Sequence, residues 1–365
     1  MPKGKVRNMF PGGNTSKGFF SYYQYIINEE DARRVFILKG GPGVGKSSFM
    51  KKASEVMVQR GYDVEHMHCS SDNHSLDGVV IPGLGVALID GTAPHVVDPK
   101  SPGVVDEIIN LGDFWDEAAL SRNREKVVRI KNEISGCFAR AYRYLAAASC
   151  IYEDSAALYR PVIDEAKGNI LAHELISELL EGIPVSVETG RERRMFASAI
   201  TPDGLVNYLD DLMIADNIYK LDGFPGAGTE KLLEKLKSAA LERGLHIEAF
   251  YCAFDPLKLE HLIIPALNAV FTTVNRYHST DACSLREIDF SEYVNDRLTA
   301  MHRSELAYNQ AQFDGLLNKS IDLIHSAKGL HDELESCYIP AMDFEGVQRK
   351  WKMIMERIIG YICAD

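Results

Sequence analysis

Two segments of the chain, Lys39-Gly-Gly-Pro-Gly-Val-Gly45 and Asp222-Gly-Phe-Pro-Gly-Ala-Gly228, begin 183 positions apart and share their glycine and proline spacing. The offset persists downstream, where Gly61, Cys69, Asp72, Ile81-Pro82, His95 and Asp98 meet Gly244, Cys252, Asp255, Ile264-Pro265, His278 and Asp281. Upstream, Met9-Phe10 and Gly18 meet Met195-Phe196 and Gly204 at an offset of 186, and Tyr159-Arg-Pro161 meets Tyr338-Ile-Pro340 at 179. Matches this collinear mark a tandem duplication, so the chain must build one architecture twice. The copies are expected over residues 1–186 and 187–365 of the 365-residue chain, as two domains.

Each copy reads alike. A Gly-bearing opening leads to an expected helix (Phe19 to Asn28; Leu205 to Leu212), then a short apolar strand (Val35 to Leu38; Ile218 to Leu221), then the glycine-rich loop. A helix follows, with apolar positions Phe49, Met50, Ala53, Val56 and Met57 in one copy and Leu232, Leu233, Leu236, Ala239 and Ala240 in the other. Spacing of i, i+1, i+4, i+7, i+8 places them on one face. Further strands are expected over Val64 to Cys69, His246 to Cys252 and Gly85 to Asp90. Strand–helix alternation predicts an α/β fold of two tandem parallel-sheet domains. Residues 114–182 and 291–362 are rich in Ala, Leu and Glu, so each copy should carry a helical extension broken at Pro161 or Pro340.

The chemistry is concentrated in Gly40-Gly41-Pro42-Gly43-Val44-Gly45-Lys46-Ser47. This is the Gly-x4-Gly-Lys-Ser pattern of a P-loop, preceded by a strand and followed by a helix. The N–H groups of Gly43 to Ser48, with Gly40 and Gly41 shaping the turn, can cradle phosphates at a helix N-terminus. Lys46 would reach the β- and γ-phosphates, and Ser47 would offer its hydroxyl to Mg²⁺. In Val86-Ala-Leu-Ile-Asp90, an apolar run ends in a carboxylate that would hold the same ion, as a Walker-B aspartate does. His95 lies just beyond, in Asp90-Gly-Thr-Ala-Pro-His95, and is a candidate to sense the γ-phosphate. Asp72, at a strand end, is the place for an acceptor-binding carboxylate if the protein is a kinase. The helical arginines Arg122, Arg124, Arg129, Arg140 and Arg143, or the cluster Arg191, Arg193 and Arg194, are candidates to reach a bound nucleotide.

The second copy shows which positions the chemistry needs. It has Thr229 for Lys46, Glu230 for Ser47 and Thr273 for Asp90, while Gly223, Gly226 and Gly228 remain. Lys231 comes one residue late and points about 100° away on a helix. The second copy therefore reads as a degenerate site, and Lys46, Ser47 and Asp90 as one chemical unit.

Composition sets outer bounds. A net charge of −12 argues against general binding to nucleic acid or an anionic membrane. No apolar run is long enough to span a bilayer and the N-terminus lacks an apolar signal core, so a cytoplasmic protein is expected. The seven cysteines form no Cys-x-x-Cys pair, which argues against a zinc site.

The loop Gly-Gly-Pro-Gly-Val-Gly-Lys-Ser-Ser, with Asp90-Gly-Thr-Ala-Pro-His95 and Phe196-Ala-Ser-Ala-Ile-Thr-Pro202, resembles a poorly characterised family of tandem P-loop ATPase-like proteins from Firmicutes. The resemblance covers the whole chain. It implies ATP binding through Gly43 to Ser48 and brings no substrate beyond the nucleotide. The expectation is an ATP- and Mg²⁺-dependent hydrolase working in the first half. The alternatives are a kinase for a small molecule or nucleotide, and a nucleotide-gated binding protein whose second substrate or partner is not legible.

Overall fold

A computed structural model describes residues 2–295 and 301–363. The first half comprises β1 (Val6–Met9), β2 (Gly12–Thr15), β3 (Gly18–Ser21), β4 (Arg34–Lys39), α1 (Lys46–Gln59), β5 (Val64–Cys69), β6 (Asp72–Ile81), β7 (Val86–Asp90), β8 (Asp106–Asn110), α2 (Glu117–Arg122), α3 (Arg124–Tyr159) and α4 (Glu165–Leu179). The second comprises β9 (Glu192–Phe196), β10 (Ser198–Thr201), β11 (Gly204–Asn207), α5 (Leu209–Leu212), β12 (Asn217–Asp222), α6 (Thr229–Leu241), β13 (Ile247–Tyr251), β14 (Leu259–Ile264), β15 (Ala269–Val274), β16 (Arg286–Asp289), α7 (Arg303–Tyr338) and α8 (Phe344–Ile362).

The six-stranded sheets run β1-β5-β6-β7-β4-β8 and β9-β13-β14-β15-β12-β16, the same order in each half. They are mixed rather than wholly parallel. β6 runs antiparallel to β5 and β7, as β14 does to β13 and β15, while the other pairings are parallel. Short turns at 70–71 and 82–85 join β5, β6 and β7, and such links can only connect antiparallel neighbours. The helix expected from Phe19 is instead β3 followed by a 3₁₀ turn at Tyr23–Tyr25. Its run of Phe and Tyr suits a pleated surface better than a helix.

Alternation along β4 assigns the two sheet faces. Phe36 and Leu38 join the core under α1, whereas Val35 and Ile37 face a second core containing Met195, Ile218, Phe250, Ile263 and Val270. The sheets therefore pack on each other through those faces. Equivalent residues meet where they join: Phe10 and Phe196 exchange two backbone hydrogen bonds of 2.9 Å each. Beside them Arg7 and Arg193 each pair with both Glu65 and Glu248, at 2.5–3.1 Å.

The helical extensions cross over. α3 and α7, each 36 residues and about 54 Å long, pack antiparallel: Lys126 pairs with Glu333, the Ser320 hydroxyl donates to the Ala141 carbonyl, and Asn309 donates to Asp154. Their ends deliver α4 and α8 to opposite halves. Leu171, Ala172 and Leu175 of α4 pack with Leu232, Leu233 and Leu236 of the second half. Val347, Ile354, Met355 and Ile358 of α8 pack with Phe49, Met50, Ala53 and Met57 of the first. The Trp351 indole also donates to the Phe49 carbonyl at 3.1 Å. The repeat of the sequence and the packed units are thus different objects. Among the described residues, no helix is long and apolar enough to cross a membrane.

Candidate functional site

β4 ends in the glycine loop, and α1 begins at Lys46. Gly43 and Gly45 take φ of 71° and 92°, values that only glycine adopts at little cost. Gly45 is the residue from which the helix starts, so the free N–H groups of the first turn open into the loop. Val44 is fully buried and anchors the loop in the core, while Ser48 is exposed. Gly226 and Gly228 repeat the conformation at 81° and 91°.

β7 lies beside β4, which brings Asp90 to the loop. Its Oδ2 is 3.6 Å from the Lys46 ammonium, and its Oδ1 accepts from Thr92 N–H at 2.8 Å. Lys46 also donates to the Gly40 and Gly41 carbonyls at 3.0 and 2.9 Å. The Thr92 hydroxyl donates to the Gly40 carbonyl, and the Ser47 hydroxyl accepts from Leu76 N–H. Lys46 and Asp90 therefore meet at the ends of β4 and β7, while the Ser47 hydroxyl faces Leu76 of β6. The Lys46 and Asp90 side chains are only 11% and 14% exposed, because the second half covers the loop. A Cβ placed on Gly41 would stand 2.8 Å from the Tyr338 ring, and one on Gly43 would stand 3.1 Å from Ile339 and 3.3 Å from Glu335. Phe344 lies against Gly45.

His95 has other neighbours. Its Nε2 is 3.6 Å from Asp77 Oδ1, and its ring stacks on Tyr23 with centroids 4.6 Å apart. His278 stands likewise beside Glu260, at 3.2 Å, in the half that lacks the lysine. A pair kept in both halves is a feature of the fold before it is a feature of the glycine loop. Asp77 and Glu260 occupy one repeat position, in Leu76-Asp-Gly-Val-Val-Ile81 and Leu259-Glu-His-Leu-Ile-Ile264, and that shared acid is the signal that could have marked them. Burial pushes the Asp77 carboxyl up, His95 opposes this, and Asp90 on the next strand adds to it. Burial, and then Asp77, push the Tyr23 hydroxyl and the Cys69 thiol well above their ordinary values.

The arginine candidates lie elsewhere. Arg122, Arg124, Arg129, Arg140 and Arg143 are all exposed. Arg191 pairs with Glu30 and Asp31, Arg194 with Glu192, and Arg193 with the glutamates between the sheets. Asp72 accepts from the Ser75 hydroxyl and His74 N–H and lies 3.6 Å from Lys328 of α7. The residues actually against the loop (Glu335, Tyr338, Ile339 and Phe344) come from the far end of the chain. The one signal for them was the repeat Tyr159/Tyr338.

In the second half Thr229 and Thr273 replace the Lys46–Asp90 ion pair together, and both are buried. Lys231 turns away to Glu165 of α4, at 2.6 Å. Comparison of the chain with protein-family models, with curated proteins and with solved structures finds no match.

Proposed function

We propose that the first half binds ATP and hydrolyses its γ-phosphate, and that the second half does not. The observation that carries this reading is the meeting of Lys46 and Asp90, 3.6 Å apart, at the mouth of a loop with Gly43 and Gly45 in the left-handed region. The N–H groups of a loop of this kind can cradle a phosphate, and the helix start adds partial positive charge there. The Lys46 ammonium, resting on two carbonyls and Asp90, is the group that would swing to the β- and γ-phosphates and neutralise charge developing in the transition state. Water would add to the γ-phosphorus as the bond to the bridging oxygen breaks, giving ADP and phosphate. The hydroxyl of Ser47 and the carboxylate of Asp90 are hard oxygen donors and suit Mg²⁺, which when bound would offset phosphate charge. The sequence has no Asn-Lys-x-Asp run of the kind that reads guanine, so ATP rather than GTP is the nucleotide to test first.

A second reading is a nucleotide-gated binding protein with slow turnover. It is favoured by Tyr338, Ile339 and Glu335 resting on the loop, since an arm packed there can couple the state of the loop to the second half. The kinase reading draws less support, because Asp72 is already engaged by Ser75, His74 and Lys328.

Phosphate release from Mg-ATP, measured beside ATP binding by calorimetry, tests both readings. ATPase activity predicts release that Lys46→Ala lowers about 10²–10³-fold. Binding without release selects the gated reading. Binding and release both unchanged in Lys46→Ala would sink the assignment of the site.

A further inference from the structure

The second half has lost the phosphate chemistry but holds a cavity of about 330 Å³ at the same end of its sheet. That volume falls within the range of small-molecule sites. It is bounded by the loop at Gly223–Pro225, the ends of β14 and β15, and helices α3 and α7. Its walls are aromatic: Tyr152, Tyr159, Phe224, Phe254, Tyr277 and Phe313. The rings of Phe254 and Phe313 stand 5.0 Å apart, and those of Tyr159 and Phe224 stand 4.3 Å apart.

Polar groups line the cavity without being used up. Among the described residues Thr273 Oγ1 and His278 Nδ1 have no hydrogen-bond partner, and Glu260 Oε2 faces His278 Nε2 at 3.2 Å with a lone pair to spare, although these residues are only 2%, 8% and 2% exposed. Native interiors seldom leave such groups unpaired, and two on one cavity wall beside a carboxylate are what a ligand would satisfy. They occupy the repeat positions of Asp90, His95 and Asp77.

Charge narrows the ligand. Lys258, on the cavity wall, donates to the Tyr152 hydroxyl at 2.8 Å. Its positive charge is balanced by the carboxylate of Glu260 two residues on. Thr229 stands where Lys46 would be, and Asp222 adds a carboxylate at the rim. Arg276, also on the wall, pairs with Asp314 at 3.2 Å, so among the described residues a phosphate here would meet only cations already engaged. A flat ring would find aromatic faces, acceptors in Glu260 and Thr273, and a donor or acceptor in His278.

We propose that this cavity binds an uncharged, amino-substituted aromatic heterocycle of about nucleoside size, independently of the nucleotide in the first half. Such a ligand would touch α3 and the start of α7, whose far end covers the glycine loop.

The test uses the full-length protein and adenosine as probe, with binding followed by calorimetry and saturation-transfer NMR. One adenosine per chain is expected, and saturating Mg-ATP should not displace it. Thr273→Val should weaken binding several-fold, and Glu260→Gln at least tenfold. Ser155→Phe, which puts a ring into the cavity, should abolish binding while circular dichroism and thermal unfolding report an intact fold. If Ser155→Phe does not fold, Thr273→Val, which keeps the shape of the side chain, decides the matter. Absence of adenosine binding, displacement by Mg-ATP, or binding untouched by Thr273→Val and Glu260→Gln would each overturn the proposal. None of these outcomes depends on whether the first half hydrolyses ATP.

Discussion

The glycine loops at Gly40–Ser47 and Gly223–Glu230 are the same object in backbone terms and opposites in chemistry. Gly43 and Gly226 take φ of 71° and 81°, and Gly45 and Gly228 take 92° and 91°. Yet one loop faces a lysine–aspartate pair and the other faces two threonines. The loop conformation is therefore set by glycine placement and by packing against the sheet, and it survives the loss of every group that could act on a phosphate. Backbone shape alone is poor evidence for a nucleotide site, and the ion pair is the part that discriminates.

The largest test separates the sequence repeat from the packed unit. Residues 1–186 expressed alone would lack Val347, Ile354, Met355 and Ile358, which cover α1. At about 1.5–3 kcal/mol per buried apolar side chain this removes roughly 6–12 kcal/mol, as much as a whole domain's stability. The fragment should be unfolded or aggregated by circular dichroism and size exclusion. A folded, monomeric fragment would contradict the exchange of helices.

Next comes the chemical contrast. Lys46→Ala should cost about 10²–10³-fold in phosphate release, whereas Thr229→Ala should leave release unchanged, with a calorimetric count of one ATP per chain in the parent protein. Two equal ATP sites would erase the distinction between the halves.

Third, Arg193→Ala removes one of four charges shared between the sheets and leaves Glu65, only 6% exposed at its side chain, half-paired. A loss of about 3 kcal/mol in chemical denaturation is expected. Arg7→Ala, its equivalent, should cost a similar amount if the network is as symmetric in energy as in geometry.

Last, acid should weaken both halves over unequal ranges. Burial, helped by His68 and Lys51, lowers the His66 pKa to about 4 in the first half. Burial lowers that of His261 to about 3 in the second, against the pull of Glu260. Each histidine is neutral when folded and takes up a proton readily when unfolded, so its contribution is complete above pH about 6.5 and is lost as pH falls. The loss runs down to about 4 for His66 and about 3 for His261. Each should steepen the fall of unfolding free energy by up to about 1.4 kcal/mol per pH unit. His66→Asn should flatten the profile between pH 6.5 and 4 if the assignment holds.

Much of this was legible in the sequence. The α1 and α6 faces, the strands β4 and β7, and the loop between strand and helix were all readable. These are local periodicities, and the fold preserves them. The antiparallel β6 was not, because its first residues, Asp72-Asn-His-Ser, carry no apolar alternation. Nor was the exchange of α4 and α8: an amphipathic face declares that it will be covered and says nothing of by what. The same gap hid Tyr338 and Glu335 from the site. For His95 the position along the chain was legible, but only the packing of Tyr23 and Asp77 around it revealed its company.

The self-pairing of Phe10 with Phe196, and of Arg7 and Arg193 with both glutamates, has a consequence for how the protein can change. Equivalent residues meeting across a two-fold axis are the signature of an association between identical partners. While partners are encoded once, replacing the lysine of the loop disables both sites in a single step. Once both copies lie in one polypeptide, each can mutate alone, and one loop is free to give up its lysine while the other keeps it.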